Sequence, residues 1–238
     1  MCGRYTLTTP GELIAELFGL DADPEVEARY NIAPTQEVAA VRVDEAGGPR
    51  RFVRLRWGLV PHWAKDASIG NKMINARSET AAEKPAFRSS FKRRRCLILA
   101  DGFYEWKKLE GGTKQPWYFR LASGDPFAFA GLWASWGKGD EEIETCTILT
   151  TEANELVRKV HPRMPVILEP GEYDLWLDPV AGDRERLEAV LGPFDPAAMI
   201  AYPVSTRVNS PANDDPAVIE PAGEAERAGK PPKQAELF

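Results

Sequence analysis

The residue with the most distinctive chemistry is Cys2, which directly follows the initiator methionine. Cysteine has a small side chain, so ordinary amino-terminal processing would remove Met1 and leave Cys2 as the first residue. An amino-terminal cysteine carries an α-amine with a pKa of about 8 and a thiol with a pKa of about 8.5, so both groups are partly nucleophilic near neutral pH. Cys2 is therefore a candidate nucleophile, although its position also fits a residue in a first strand or an exposed tail.

A second group of polar side chains lies in INARSET, residues 74–80. The amide of Asn75 can donate a hydrogen bond to an oxygen that gains negative charge, and the guanidinium of Arg77 can bind a phosphate through two parallel hydrogen bonds. The same stretch also fits the start of a helix that is capped by Asn75 or Ser78. The motif alone leaves both interpretations open.

The segment ADGFYEW, residues 100–106, presents an acidic residue between two aromatic ones. Strand alternation would place Tyr104 and Trp106 on one face and Glu105 on the other. In a pocket walled by aromatic side chains, desolvation would raise the pKa of Glu105 and suit it to proton transfer. Glu105 also fits a surface position, and Trp106 fits either the core or a platform on which a nucleobase stacks.

The segment VHPRMPVIL, residues 160–168, contains one of the two histidines of the chain. His161 could exchange protons near neutral pH, and Arg163 could bind a phosphate. The alternative is a histidine that ends a helix and binds its last carbonyl groups. His62, in LVPHWAKD, has fewer polar neighbours and is the weaker candidate.

The composition is that of a folded globular protein, with 43% hydrophobic and 28% charged residues in a chain of 238. No apolar run reaches the roughly 18 residues of a membrane span, and there is no apolar signal core, which predicts a cytoplasmic protein. Three cysteines without a CxxC pair and two distant histidines argue against a disulfide framework and a structural zinc site. We therefore expect no metal and no cofactor.

The formal net charge of −6 would ordinarily argue against nucleic acid as a partner, but the charge is unevenly distributed. FRSSFKRRRC, residues 87–96, contains five basic residues, whereas residues 212–238 contain six acidic and three basic residues. This distribution fits a basic face beside an acidic tail. The run KRRR fits a solvated approach to a strand equally well.

The elements that must position these residues are mostly strands. Residues 10–19 have the apolar spacing of a short amphipathic helix, and 37–43 and 50–61 predict a hairpin. Four β-rich runs between 95 and 153 predict an antiparallel meander. Short helices are expected at 153–161, 172–179 and 183–192, and a last strand at 198–205. We expect one α+β domain over residues 2–216, with a mostly antiparallel, barrel-like sheet and peripheral helices, and a flexible tail over 217–238.

Taken together, these motifs resemble the SOS response-associated peptidase (SRAP) family, whose members are also called abasic site processing proteins. The resemblance extends from residue 2 to about 216, with the motifs in the same order. It is carried by MCGRY, NIAPT, RWGLVP, NARSET, RRCL followed by ADGFYEW, TTEAN, HPRMPVIL and VSTRVN.

The resemblance implies a covalent cross-link between Cys2 and an abasic site in single-stranded DNA. The α-amine would add to the aldehyde of the opened sugar, and the thiol would close a thiazolidine ring. By the same resemblance, Asn75 would position the sugar or the amine, Glu105 would assist ring opening, and His161 would transfer protons and take part in reversal. An abasic-site lyase activity is a further implication.

The resemblance also implies a DNA surface, with Arg77 and Arg163 on the backbone and with Arg4 and Trp106 as weaker candidates. The expected partner is single-stranded DNA containing abasic sites, bound by a monomer that associates with the nucleoid and not with a membrane. Two other functions remain open: a cysteine peptidase in which Cys2 removes its own leading residue, and a non-covalent single-strand binding module.

Overall fold

The computed structural model describes residues 2–139 and 142–223 of the chain. Within them, the strands are β1 (Tyr5–Leu7), β2 (Arg29–Ile32), β3 (Glu37–Arg42), β4 (Arg51–Trp57), β5 (Asn75–Arg77), β6 (Arg95–Ala100), β7 (Gly102–Lys108), β8 (Lys114–Leu121), β9 (Phe127–Trp136), β10 (Ile143–Glu152), β11 (Arg163–Pro165), β12 (Ile167–Leu168) and β13 (Met199–Pro203). The α-helices are α1 (Gly11–Phe18), α2 (Ser78–Ala81), α3 (Arg88–Arg93), α4 (Tyr173–Leu177) and α5 (Arg184–Ala189).

The larger sheet closes on itself as a barrel. Its strands pair in the order β10, β4, β3, β6 and β9, and β9 pairs again with β10. Strand β10 runs parallel to β4 and β5, and the other pairs of this sheet are antiparallel. The second sheet is antiparallel throughout, in the order β13, β8, β7, β1 and β2. The expected barrel-like, mostly antiparallel α+β fold is confirmed.

Strand β6 lies at the centre of the core. All six of its residues are buried, because the strand pairs with β3 and β9 while α4 packs against it. This double covering explains why RCLIL reads as a continuous run and not as an alternating pattern. Inside the core, Tyr5 contacts Trp57 and Phe129 edge to face, with ring centroids 5.3 and 5.6 Å apart. These contacts tie β1 of the second sheet to the barrel.

Asp101 anchors the amino-terminal strand where β6 passes into β7. Its carboxylate accepts hydrogen bonds from the hydroxyl of Thr6 and from the backbone N–H and hydroxyl groups of Thr8 and Thr9. The hydroxyl of Thr6 also lies 2.9 Å from that of Tyr118. Gly102 permits this approach, because a Cβ there would lie 2.1 Å from the Tyr118 hydroxyl. The start of the chain is thereby held along β7.

Several local predictions are confirmed, namely α1, the β3–β4 hairpin, α4, α5 and β13. The helix expected over 153–161 is wrong. That stretch contains only a 3-10 turn, Val157–Lys159, and Pro162, which has no backbone N–H, stops further helix. The single meander is also wrong: β7 pairs with β8 and β9 with β10, but β6 and β7 belong to different sheets.

The end of the described chain packs against the second sheet. Residues 217–223, which the sequence assigns to the tail, include the fully buried Val218, and Pro221 forms a β-bridge with Val204. The rest of the expected tail, 224–238, lies outside the described residues. Among the helices described, none is long and apolar enough to cross a membrane.

Candidate active site

Cys2 lies in the interior of the protein, at the entrance to β1. It is 0% exposed, and the adjoining segment is held against β7 because the Tyr104 N–H donates to the Arg4 carbonyl at 3.0 Å. The thiol itself lies 3.7 Å from the same Arg4 carbonyl oxygen. Burial raises the pKa of the Cys2 thiol, and the carboxylate of Glu105 raises it further. The thiol is therefore predominantly protonated near neutral pH.

Asn75 holds the backbone of Cys2. Its amide Nδ2 donates a hydrogen bond of 2.7 Å to the Cys2 carbonyl oxygen. Asn75 sits on β5, beside Ile148 of β10. The preceding residue is fixed by Trp57, whose buried indole N–H donates to the Ile74 carbonyl at 2.8 Å. Within the described residues, the buried Oδ1 of Asn75 has no hydrogen-bond partner, so it can accept one from a reacting group.

The helix start that INARSET allows is confirmed, but a cap by Asn75 or Ser78 is wrong. Helix α2 begins at Ser78, and the side chain of its N-cap residue, Arg77, makes no capping hydrogen bond. The amide group of Asn75 instead points to Cys2, a contact that crosses 73 residues of sequence. Strand β5 therefore places the Asn75 side chain against the backbone of Cys2, just before β1.

Glu105 is the acidic residue of the site. It lies on β7 and is 2% exposed, whereas Tyr104 and Trp106 pack together with Tyr118 in a separate cluster. The predicted alternation of these three residues is confirmed. Burial raises the pKa of Glu105, and His161 acts in the opposite direction. A carboxyl group in this environment can keep a proton closer to neutral pH and donate it.

His161 approaches Glu105 from the turn before β11. Its Nδ1 lies 3.9 Å from Oε1 of Glu105. The same nitrogen accepts a hydrogen bond from the Arg163 N–H at 3.1 Å and lies 3.0 Å from the Arg163 carbonyl oxygen. The Arg163 backbone can thus serve the neutral ring as a donor and the protonated ring as an acceptor.

The two arginines expected to contact the DNA backbone differ in their surroundings. Arg77 is exposed, and no hydrogen bond or ion pair engages its side chain within residues 2–139 and 142–223. The Arg163 side chain is only 16% exposed and forms a two-point ion pair with Glu79. Arg163 also donates to the Thr150 carbonyl, which fixes the guanidinium over β10. Among the described residues, therefore, the guanidinium of Arg77 is unpaired, whereas that of Arg163 is held by other groups of the protein.

Arg4 and Trp106 both contact Asn209. The guanidinium of Arg4 donates to Oδ1 of Asn31 at 2.9 Å and to the carbonyls of Val208 and Asn209 at 2.7 and 3.1 Å. The indole N–H of Trp106 donates to Oδ1 of Asn209 at 2.8 Å. These contacts hold the segment around residue 208 against the second sheet.

The structure brings Cys2, Asn75, Glu105 and His161 together, and it leaves His62 exposed and outside this group. Sequence analysis missed two supporting residues, Trp57 and Glu79. The indole N–H of a buried tryptophan usually has a hydrogen-bond acceptor. A fixed hydrogen bond from Trp57, the tryptophan of RWGLVP, could therefore have been predicted. Glu79, the acidic residue of INARSET, could be recognised only together with its partner Arg163, which lies 84 residues away in the chain.

Comparison with known proteins identifies the family of the chain. Residues 1–211 match the family model described as SOS response associated peptidase, SRAP. The chain belongs to the SRAP family. It is 46% identical over 224 residues to the abasic site processing protein YoqW of Bacillus subtilis, covering 92% of this chain and 99% of that protein. It is 36% identical over 208 residues to the abasic site processing protein HMCES of Gallus gallus, covering 76% of this chain and 60% of that protein.

The SRAP assignment extends to the three-dimensional structure. An X-ray crystal structure of a protein from Bacteroides thetaiotaomicron superimposes with a TM-score of 0.81 at 28% sequence identity. The alignment covers 93% of this chain and all of that chain. The barrel and the second sheet described above therefore have a counterpart in a solved structure.

Proposed function

We propose that this SRAP protein captures abasic sites in single-stranded DNA by forming a covalent bond through Cys2 once Met1 has been removed. The observation that carries the proposal is the placement of Cys2. Its carbonyl accepts a hydrogen bond from Asn75, and the buried carboxyl of Glu105 lies near enough to raise the pKa of its thiol. The names of relatives such as YoqW, an abasic site processing protein, support the same substrate.

The first step is the opening of the sugar. An abasic deoxyribose is mostly a closed hemiacetal, so its aldehyde appears only after the bond between C1′ and the ring oxygen breaks. The ring oxygen gains a proton and the C1′ hydroxyl loses one. Glu105, whose pKa is raised by burial, is the donor, and His161 at 3.9 Å receives or relays the second proton.

The second step joins the protein to the sugar. The α-amine of Cys2 adds to the aldehyde carbon, and the carbinolamine loses water to give an imine. The thiol sulfur then adds to the imine carbon, and its proton moves to the nitrogen, which closes a five-membered thiazolidine ring. One water leaves and no oxidant is needed. Release follows the reverse path, in which the carbon–sulfur bond breaks and water adds to the imine.

The protonation state of Cys2 favours addition by the amine followed by the thiol over a peptidase mechanism. A cysteine peptidase needs a thiolate, which a neighbouring positive charge usually stabilises. Burial is the largest effect on the Cys2 thiol and raises its pKa; the ionised form of Glu105 raises it further, and the positive charge of the amino terminus offsets these effects only in part. An addition that starts with the amine suits this environment better, because the thiol proton passes to the imine nitrogen as the sulfur adds, and no free thiolate has to persist in the interior.

DNA would approach the site across β5 and β11. Arg77 and Arg163 flank the reacting group from these two strands and are the proposed phosphate contacts. Trp106 is half-buried, and Arg4 is held by protein carbonyls, so their proposed contribution to the DNA surface is secondary. We expect the protein to act as a monomer on single strands.

The test is a denaturing gel of the purified chain with an oligonucleotide that contains one abasic site, together with the intact mass of the protein. Cys2→Ala is compared with Cys146→Ala, which alters an equally buried free cysteine. We expect a heat-stable adduct with the wild type and with Cys146→Ala but not with Cys2→Ala.

Two results would reject the proposal. One is an undiminished adduct in Cys2→Ala, and the other is no adduct from a wild-type chain whose mass shows that Met1 has been lost. If the Cys2→Ala chain keeps Met1 while the wild type loses it without cross-linking DNA, the self-processing peptidase takes the place of the cross-linking enzyme.

A further inference from the structure

Glu79 and Arg163 form an ion pair beside the proposed reaction site. Nη2 of Arg163 lies 2.9 Å from Oε2 of Glu79, and Nη1 binds the other carboxylate oxygen. The two residues are 84 positions apart in the chain and meet across β10. His161 is also attached to this pair, through the Arg163 backbone.

The Glu79 carboxylate occupies the edge of the guanidinium that a phosphate would bind. Carboxylate and phosphate both present two oxygens to arginine in the same parallel geometry. Nη2 is engaged further by the Thr150 carbonyl, and Nε is buried. A DNA phosphate can therefore form a two-point contact with Arg163 only by displacing Glu79.

Glu79 is charged and partly open to solvent. Its hydrogen bonds from Arg163 lower its pKa, so it remains a carboxylate throughout the neutral range. Its side chain is 46% exposed, and Arg77 lies two residues earlier with its own guanidinium exposed. The Glu79 carboxylate thus acts on both groups assigned to the DNA backbone: it pairs with Arg163 and interacts electrostatically with Arg77.

We propose that Glu79 is an intramolecular competitor of DNA phosphate at Arg163 and keeps the non-covalent affinity for undamaged single strands low. The inference rests on the proposed function, because it takes Arg163 as a phosphate contact. Its consequence is selectivity: undamaged DNA dissociates quickly, and only a strand that offers an aldehyde to Cys2 is retained. The specificity comes from a repulsive element beside an attractive one.

The experiment measures the affinity for an undamaged single-stranded oligonucleotide by fluorescence anisotropy over a series of salt concentrations. Glu79→Gln keeps the shape of the side chain and removes its charge. The matched control is Glu144→Gln, which also breaks an ion pair, that of Glu144 with Arg42 at 2.6 Å. Glu144 lies six residues before Thr150 on β10, or about 20 Å along the strand.

We expect Glu79→Gln to bind undamaged DNA about two- to fivefold more tightly, the range of a partly exposed charge pair. The dependence of log K on log salt should steepen by up to about 0.7, the value of one phosphate contact on a single strand. Glu144→Gln should change neither quantity to this extent. In the Arg163→Ala background, Glu79→Gln should no longer tighten binding.

Unchanged or weaker binding by Glu79→Gln, with an unchanged melting temperature, would overturn the inference. An equal gain in the Arg163→Ala background would also overturn it, because the effect would then be one of net charge. These measurements use undamaged DNA and do not involve Cys2. Failure of the competition is therefore distinguishable from failure of the cross-linking reaction, which the abasic oligonucleotide tests separately.

Discussion

Replacement of Glu105 by glutamine tests the proposed acid directly. The amide keeps the size of the side chain but has no exchangeable proton of suitable acidity. The wild-type residue is 2% exposed, lies 3.9 Å from Nδ1 of His161 and has a pKa raised by burial. A positioned acid or base contributes about 10²–10⁴-fold to a rate, which corresponds to roughly 3–5 kcal/mol of the activation free energy. We expect Glu105→Gln to slow cross-linking by a factor in this range.

The same substitution should not destabilise the fold at neutral pH. Because the folded-state pKa of Glu105 lies above its unfolded value, its contribution to stability is fully present at pH values below the unfolded pKa. It is lost as the pH rises through the folded pKa, since a buried carboxylate must then be accommodated. Glutamine removes this dependence, so the melting temperature of Glu105→Gln should equal or exceed that of the wild type at neutral pH.

The assay follows adduct formation on two oligonucleotides, one with an abasic site and one with an aldehyde that cannot close into a ring. Glu110→Gln, which changes an exposed residue just after β7, is the control. If Glu105 opens the sugar, its replacement should slow the first substrate far more than the second. Equal slowing on both would assign Glu105 to a later step, and a wild-type rate on the abasic substrate would refute the assignment of any proton transfer to it.

Three further predictions concern the supports of the site. Arg77→Ala should weaken binding to undamaged single strands and reduce the salt slope by about 0.7, measured by anisotropy; an unchanged slope would remove Arg77 from the DNA surface. Trp57→Phe removes the indole hydrogen bond to the Ile74 carbonyl, so cross-linking should slow on both oligonucleotides while the salt slope stays constant; an unaltered rate would show that Asn75 is positioned without it. Asp101→Ala leaves the buried Thr6 hydroxyl and the threonine N–H groups without their acceptor and should lower the free energy of unfolding in urea by about 3 kcal/mol; a loss under about 1 kcal/mol would contradict this anchoring role.

Local features of the chain could be predicted from the sequence because their causes are local. The apolar spacing of residues 10–19 is sufficient for α1, and the alternation in GFYEW is sufficient to separate Glu105 from Tyr104 and Trp106. The candidate residues could also be identified from the sequence, because their types and neighbours limit the chemistry they can perform. The roles assigned to them came from the family resemblance, and these roles remain predictions.

The arrangement of the site depended on the tertiary structure. The partner of Asn75 is the Cys2 carbonyl, 73 residues away, and the partner of Arg163 is Glu79, 84 residues away. Both contacts depend on β10 lying parallel to β5 while β11 pairs on its other side. Such register is set by packing over the whole barrel, and a short motif contains no information about it.

The sequence by itself determined which groups are available for reaction and which segments form strands or helices. Only the tertiary structure decided that Cys2 is buried, that Glu105 lies near enough to affect the pKa of its thiol, and that Arg163 is already paired. The physical reason is that protonation and charge pairing depend on desolvation and on distances of a few ångströms. Both quantities arise when distant strands come together, so they belong to the folded chain and not to any of its segments.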